Sequence, residues 1–178
     1  MPGESKKKFS KLSELLTEPR RYDSVNVSLC FGHFNVIHPG HIRYFRAAKQ
    51  HGNQLVVALE GDSQLSKSER TEIFSEVERA EAVSELDIID HVVILDKGSL
   101  AELIEIIRPS ILVLGKEFEG VRFNKVRDAV DKITQQGGEV TYSAGETHYA
   151  GSDLFFVSQN ELEKTRWNQF KIALKNQD

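Results

Sequence analysis

The chain has 178 residues, 39% hydrophobic and 28% charged, which is enough apolar material for one domain with a real core and too much for a disordered chain. Its 23 Lys and Arg nearly balance 27 Asp and Glu, so the formal charge is -4 and no broad basic face for nucleic acid is expected. The single cysteine, Cys30, excludes an intrachain disulfide and a cysteine metal cluster. No run of about 18 apolar residues offers a membrane span, and M-P-G-E-S-K-K-K-F-S lacks the apolar stretch of a secretion signal. A cytoplasmic enzyme or binding domain, with neither nucleic acid nor membrane as partner, is the expectation.

Residues 1–23 read as a polar arm, with L-S-E-L-L as a short helical turn. Residues 25–31 (VNVSLCF) predict a strand closed by Gly32, and 39–51 a helix with Pro39 in its first turn and Gly52 at its end. Residues 55–60 (LVVALE) are apolar enough for a strand covered on both faces. A polar loop over 61–69 leads to a helix over 70–84, whose apolar side draws on Ile73, Val77, Ala80, Ala82 and Val83. Further strands follow at 91–95, 111–115 and 139–143. Between them lie helices at 99–107, with Ser99 and Glu102 spaced as a capping box, and at 123–135, closed by Gly137 and Gly138. Residues 159–175 predict a tail helix anchored by Trp167 and Phe170. Strands alternating with helices argue an α/β fold: a Rossmann-like, doubly wound, five-stranded parallel sheet of order 3-2-1-4-5. The organisation expected is the arm (1–23), one α/β domain (24–153) and a helical extension (154–178).

The chemistry concentrates in C-F-G-H-F-N-V-I-H-P-G-H-I-R-Y, residues 30–44, which ends the first long strand and opens the next helix. His38 and His41, three apart across Pro39-Gly40, can face one ligand at the helix N-terminus. There, unpaired N–H groups and the helix dipole favour phosphate. Imidazoles donate to phosphoryl oxygens, and the bare Cα atoms of Gly32 and Gly40 let backbone approach a bulky anion. Cys30, inside an apolar strand, is a poor nucleophile by pattern. The spacing of Glu117, Glu119 and Asp128 does not make a metal site, and His33, His51 and His91 read as structural or exposed.

The run G-H-F-N-V-I-H-P-G-H resembles the G-x-F-D-x-x-H-x-G-H signature of the cytidylyltransferase-like nucleotidyltransferases. That family includes glycerol-3-phosphate cytidylyltransferase and the adenylyltransferase domain of bacterial ADP-heptose synthesis. The resemblance spans roughly residues 26–153. It implies that Phe31, Gly32, His33, Phe34, Asn35, His38, Gly40 and His41 form the nucleotide cradle, with His38 and His41 on the α- and β-phosphates. Lys67 and Arg79 would grip the β- and γ-phosphates or the departing pyrophosphate. G-K-E-F-E-G at 115–120 resembles a stretch of the glycerol-3-phosphate enzymes and adds Gly115, Lys116 and Glu117. Asp90-His91-Val92-Val93 matches the family's D-x-V strand entry. Asn35 replaces the signature aspartate, and the late hydroxyl motif is not intact, which leaves Ser152, or else Thr147, to contact phosphate, with His148 as an extra histidine in that loop. Arg43 and Lys49 are candidate acceptor contacts.

The activity implied is transfer of a nucleotidyl group to a phosphorylated sugar or polyol, with Mg²⁺ on the triphosphate and pyrophosphate released. CTP is the nucleotide favoured here, as in the glycerol-3-phosphate enzymes; the alternative is ATP with a sugar 1-phosphate, as in ADP-heptose synthesis. A third reading is a non-catalytic nucleotide-binding regulator, which Asn35 and the altered late motif favour. The resemblance also implies a homodimer and, from the two-domain heptose enzymes, a sugar-kinase partner domain.

Overall fold

The computed structural model describes residues 8–17, 26–65, 74–120 and 123–143, all within the unit Met1–Glu146. Among these residues one sheet has six strands: β1 (Phe9–Lys11), β2 (Val27–Gly32), β3 (Gln54–Glu60), β4 (His91–Leu95), β5 (Ile111–Gly115) and β6 (Glu139–Ser143). Their spatial order is β1-β4-β3-β2-β5-β6, and every neighbouring pair is parallel. Five adjacent strands follow the expected order 3-2-1-4-5; the expected strand number is corrected by the sixth. That edge strand comes from the segment expected to be a polar arm, where Phe9 to Lys11 pair with Val92 to Ile94. Three pairing residues are too short to read as a strand against a charged background. Leu12 and Leu15, on the helix α1 (Leu12–Thr17) that follows, are both buried and hold the arm to the core.

Helices cover both faces. The helix α2 (Pro39–Lys49) and α3 (Glu76–Ser84) bury Tyr44, Phe45, Ala48, Ala80 and Val83 against Cys30, Val57 and Val92 on one side of the sheet. On the other side, α1, α4 (Leu100–Ile107) and α5 (Arg127–Gln135) pack Leu12, Leu103, Ile104 and Ile133 against Leu29, Val56 and Leu112. Burial on both faces accounts for the nearly unbroken apolar run of the inner strands. The expected capping box at Ser99 and Glu102 is formed, and Ser75 with Glu78 form a second one that sets the start of α3 at Glu76. The expected helix over 70–84 is thus shorter among the described residues; Ile73, Lys67 and the rest of 66–73 lie outside them. Its buried face also differs. Val77 and Ala82 are exposed, while Arg79 and Ser84 are buried with Ala80 and Val83. The helix expected over 123–135 begins with a 3₁₀ turn at Phe123–Lys125 and becomes α-helical at Arg127.

The chain leaves β2 toward β3 and β4 on one side, and returns through β5 to β6 on the other. The crevice beyond the carboxyl ends of β2 and β5 is therefore the switch point at which such sheets bind ligands. Registered β2–β5 pairs end at Cys30 and Val113. The Tyr44 hydroxyl stands where the next rung would be, donating to the Val113 carbonyl at 2.5 Å and meeting the Phe31 N–H at 3.4 Å. One buried tyrosine of α2 thus pins the helix to both strands where they part.

Candidate nucleotide site

His38 and His41 sit at this crevice, on the carboxyl side of the sheet. His38 is the N-cap of α2 in extended conformation (φ -136°, ψ 168°), and its Nδ1 accepts from the Gly40 N–H at 3.2 Å. An accepting Nδ1 carries no proton in the neutral ring, so the proton is on Nε2. That Nε2 is buried and has no hydrogen-bond partner among the described residues, and neither has His41 Nδ1. The two rings lie 3.8 Å apart, centroid to centroid, tilted by 32°. Burial, then the neighbouring Arg43, hold the His38 imidazole below its ordinary range. His41 is pushed down to about 4, first by burial, then by the charges of His38 and His33, with a backbone hydrogen bond at Val36 pulling the other way. Two neutral imidazoles with orphaned ring nitrogens stand unsatisfied at a helix N-terminus, where an anion's oxygens can complete their hydrogen bonds and its charge favours their protonation.

The glycines are occupied from within. A Cβ on Gly32 would come 2.7 Å from the Phe34 ring, and one on Gly40 would come 2.8 Å from the His38 ring. Each bare Cα makes room for a neighbouring ring, a use that the sequence does not show. Phe34 is buried and left-handed, at φ 47°, and its ring meets His41 edge-on at 5.2 Å. Phe31 is buried against Phe118, with centroids 5.5 Å apart. Asn35 has a plain structural task, since its Oδ1 accepts from the Phe74 N–H at 3.2 Å. An amide oxygen does this as well as a carboxylate would, which is why the loop survives without the signature charge.

Arg79 faces inward. Its side chain is fully buried, and it donates to the carbonyls of His33 (2.5 Å), Glu60 (2.8 Å) and Phe74 (3.1 Å) and to Asp62 Oδ1 (2.7 Å). His33 is partly exposed and carries one of these carbonyls. Gly115 ends β5, Lys116 and Glu117 are exposed on the 3₁₀ turn that follows, and Phe118 of the same turn is in the core. Lys67, Thr147, His148, Ser152, Trp167 and Phe170 lie outside the described residues.

Arg43 lines a shallow pocket of about 360 Å³ with Ile37, His38, Pro39, Ile42 and Arg46. Lys49 is corrected as an acceptor contact. It lies at the far end of α2, bonded to Asp90 Oδ2 (2.5 Å) and the Asn53 carbonyl (2.9 Å), near the start of β3. Asp90 also accepts from the Leu55 N–H at 2.7 Å, so the D-x-V entry is a strand anchor here. His91 is buried in β4 with Nε2 2.8 Å from Ser10 Oγ of β1, His51 is exposed, and burial pushes the Cys30 thiol up, away from nucleophilic character. Two features escape the sequence reading. One is Tyr44. The other is the ion pair of buried Glu60, ending β3, with Lys125, which follows β5. Nothing in the spacing of either residue signals its partner.

A doubly wound parallel sheet with one histidine capping α2 and a second in its first turn, at the switch point, defines a nucleotidyltransferase-type α/β domain. The cytidylyltransferase-like family model matches residues 29–166, and the chain belongs to that family. Among its relatives, the bifunctional protein HldE of Geobacter metallireducens is 39% identical over 94 residues, 51% of this chain and 19% of that protein. HldE of Campylobacter curvus is 35% identical over 116 residues, 64% of this chain and 24% of that protein. The chain thus spans about a fifth to a quarter of the length of these curated relatives. A lipopolysaccharide core biosynthesis protein from Thermoplasma volcanium has a similar structure, with TM-score 0.55 and 26% identity over 67% of this chain and 94% of that one. Pantothenate synthetase from Thermus thermophilus shares the fold at 13% identity, with TM-score 0.52 over 76% of this chain and 61% of that one.

Proposed function

We propose that this domain transfers an adenylyl group from ATP to a sugar 1-phosphate. An oxygen of the acceptor phosphate attacks the α-phosphorus, the bond from that phosphorus to the bridging oxygen breaks, and its electron pair leaves on pyrophosphate. The acceptor phosphate is already ionised near neutral pH, so no strong general base is required. The observation that carries the reading is the pair of buried, unpartnered ring nitrogens of His38 and His41. The first-turn amides of α2 are already taken, Gly40 by His38 Nδ1 and His41 by the His38 carbonyl, so the two imidazoles, protonated as the anion binds, are the donors to α- and β-phosphate oxygens, and they gain most as charge builds up in the transition state. Mg²⁺ arrives with the triphosphate as part of the substrate.

ATP and a sugar acceptor are supported by the relatives. These are bifunctional proteins, as the two-domain enzymes of ADP-heptose synthesis are, and the Thermoplasma relative is described by lipopolysaccharide core biosynthesis. The unmatched length of those relatives leaves room for a sugar-kinase partner. G-K-E-F-E-G favours the second reading, CTP with a polyol phosphate.

A pyrophosphate-release screen crossing ATP, CTP, GTP and UTP with sugar 1-phosphates and polyol phosphates, in the presence of Mg²⁺, tests the proposal. ATP with a sugar 1-phosphate is expected to turn over fastest. Turnover confined to CTP and glycerol 3-phosphate establishes the second reading, and nucleotide binding without turnover for any pair establishes a regulator.

A further inference from the structure

We propose that Arg79 is a positioning residue for His41, acting through the His33 carbonyl and the Phe34 ring, and not a ligand of the triphosphate. This rests on the reading of His41 as a phosphate-facing group.

The guanidinium is held on all sides. Three carbonyls and one carboxylate take its Nε, Nη1 and Nη2, and no part of the side chain reaches solvent. Turning outward would leave those carbonyls of His33, Glu60 and Phe74 without this donor, at a cost that grows with their burial. The bond to His33 is the consequential one. That carbonyl belongs to the peptide preceding Phe34, so holding it fixes one side of the bond about which the φ of Phe34 turns. At φ 47° a bulky aromatic residue persists only where its surroundings over-determine it.

Three contacts do so. Arg79 holds the preceding peptide, Gly32 leaves the space that the ring fills, and Phe45 packs against the ring at 5.1 Å. Asn35 ties the next residue to the Phe74 N–H, while Arg79 Nε holds the Phe74 carbonyl, so residues 33–35 and 74 are stapled twice. The product is the placement of one ring. Phe34 meets His41 edge-on at 5.2 Å with a 77° interplanar angle, and His38 lies 3.8 Å away, so the His41 imidazole is confined between them. The titratable neighbours of His41 are His38 and His33, the second of which is also held at its carbonyl by Arg79.

The test uses two substitutions that reach Phe34 from different sides. Arg79→Lys keeps the charge but loses the fork that binds several carbonyls at once. Gly32→Ala leaves the arginine intact and drives a Cβ into the Phe34 ring. Each full-length variant is checked for folding by far-UV circular dichroism. The His41 ring is then titrated by histidine-detected NMR in the free protein, its signals assigned by comparison with His41→Gln. Both variants are expected to move the His41 titration toward that of an ordinary histidine. They are also expected to lower kcat at least about tenfold while the ATP KM changes less than about threefold, the split that marks loss of a transition-state interaction.

An unchanged His41 titration in both variants overturns the proposal. So does a sharply raised ATP KM with normal kcat in Arg79→Lys, which is the signature of a phosphate ligand. Should Arg79→Lys fail to fold, Gly32→Ala decides alone. The titration needs no substrate, so absence of transferase activity counts against the proposed function while the NMR result still judges this one.

Discussion

His41→Ala is the most informative single substitution, because two magnitudes follow from one ring. If its nitrogen meets charge that develops at the α-phosphate only in the transition state, its loss resembles loss of an oxyanion-hole donor. That costs about 2.7–4 kcal/mol, roughly a hundredfold to a thousandfold in kcat, with little change in nucleotide affinity. The second magnitude is a pH effect. His41 is pushed from 6.5 to about 4 in the folded protein. Between those values the unfolded chain takes up a proton that the folded chain refuses. Stability is therefore fully present above about pH 6.5 and falls as the pH drops toward 4, by about 2–4 kcal/mol in all. Alanine removes that acid slope; His38, also lowered, keeps a smaller one. Steady-state kinetics with calorimetric ATP binding read the first effect, and urea midpoints from about pH 7 to about pH 4 read the second. Near-normal turnover with a steeply raised dissociation constant would show a ground-state clamp and refute the mechanism. An acid slope that survives unchanged would show that His41 is not the buried neutral ring.

Tyr44→Phe removes the hydroxyl between β2 and β5 and leaves the Val113 carbonyl unsatisfied. A loss of about 1–3 kcal/mol is expected, roughly 3–10 °C in Tm, and an unmoved calorimetric melting point contradicts the rung assignment. Burial also raises the Tyr44 hydroxyl well above its ordinary pKa of 10.0, so its contribution is intact below about pH 10 and is lost as the pH rises further. The Tyr44→Phe variant should show a shallower alkaline decline in its urea midpoint. Asn35→Asp keeps the oxygen that accepts from Phe74 but adds a charge beside the phosphate site. Stability should hold within about 0.5 kcal/mol, while the ATP dissociation constant rises roughly threefold to tenfold at low Mg²⁺ and recovers at high Mg²⁺. Ser99→Ala breaks a capping box that satisfies two backbone donors, and an unfolding free energy lowered by about 0.5–2 kcal/mol in urea titration is the expected reading.

Most of the sheet and the paired histidines are legible in the sequence because their signals are local. A strand buried on both faces shows as an unbroken apolar run, and H-P-G-H after such a run announces a helix that begins at the carboxyl end of that strand. The same pattern, S-x-x-E, marks both capping boxes, yet only the one at Ser99 stands out. At Ser75 the surrounding charges suggest a longer helix starting earlier. The β1 strand escapes notice because its three residues are held by a partner more than 80 positions away and by two leucines of α1, not by any periodicity of their own.

Residue type and spacing alone determined that His38 and His41 stand together at the start of one helix and that helices alternate with parallel strands. Tertiary structure decided what the neighbouring residues are for. Gly32 and Gly40 give space to rings, Asn35 spends its oxygen on Phe74, and Lys49 anchors the opposite end of its helix. Arg79 has the charge and the motif position of a phosphate ligand, yet its guanidinium closes on carbonyls contributed by three separate segments. The physical reason is the same in each case. A side chain's charge and hydrogen-bonding capacity are written in its type, whereas the partner that consumes them is set by which backbone groups the fold buries beside it, and a buried carbonyl without a donor costs as much as a phosphate contact can return.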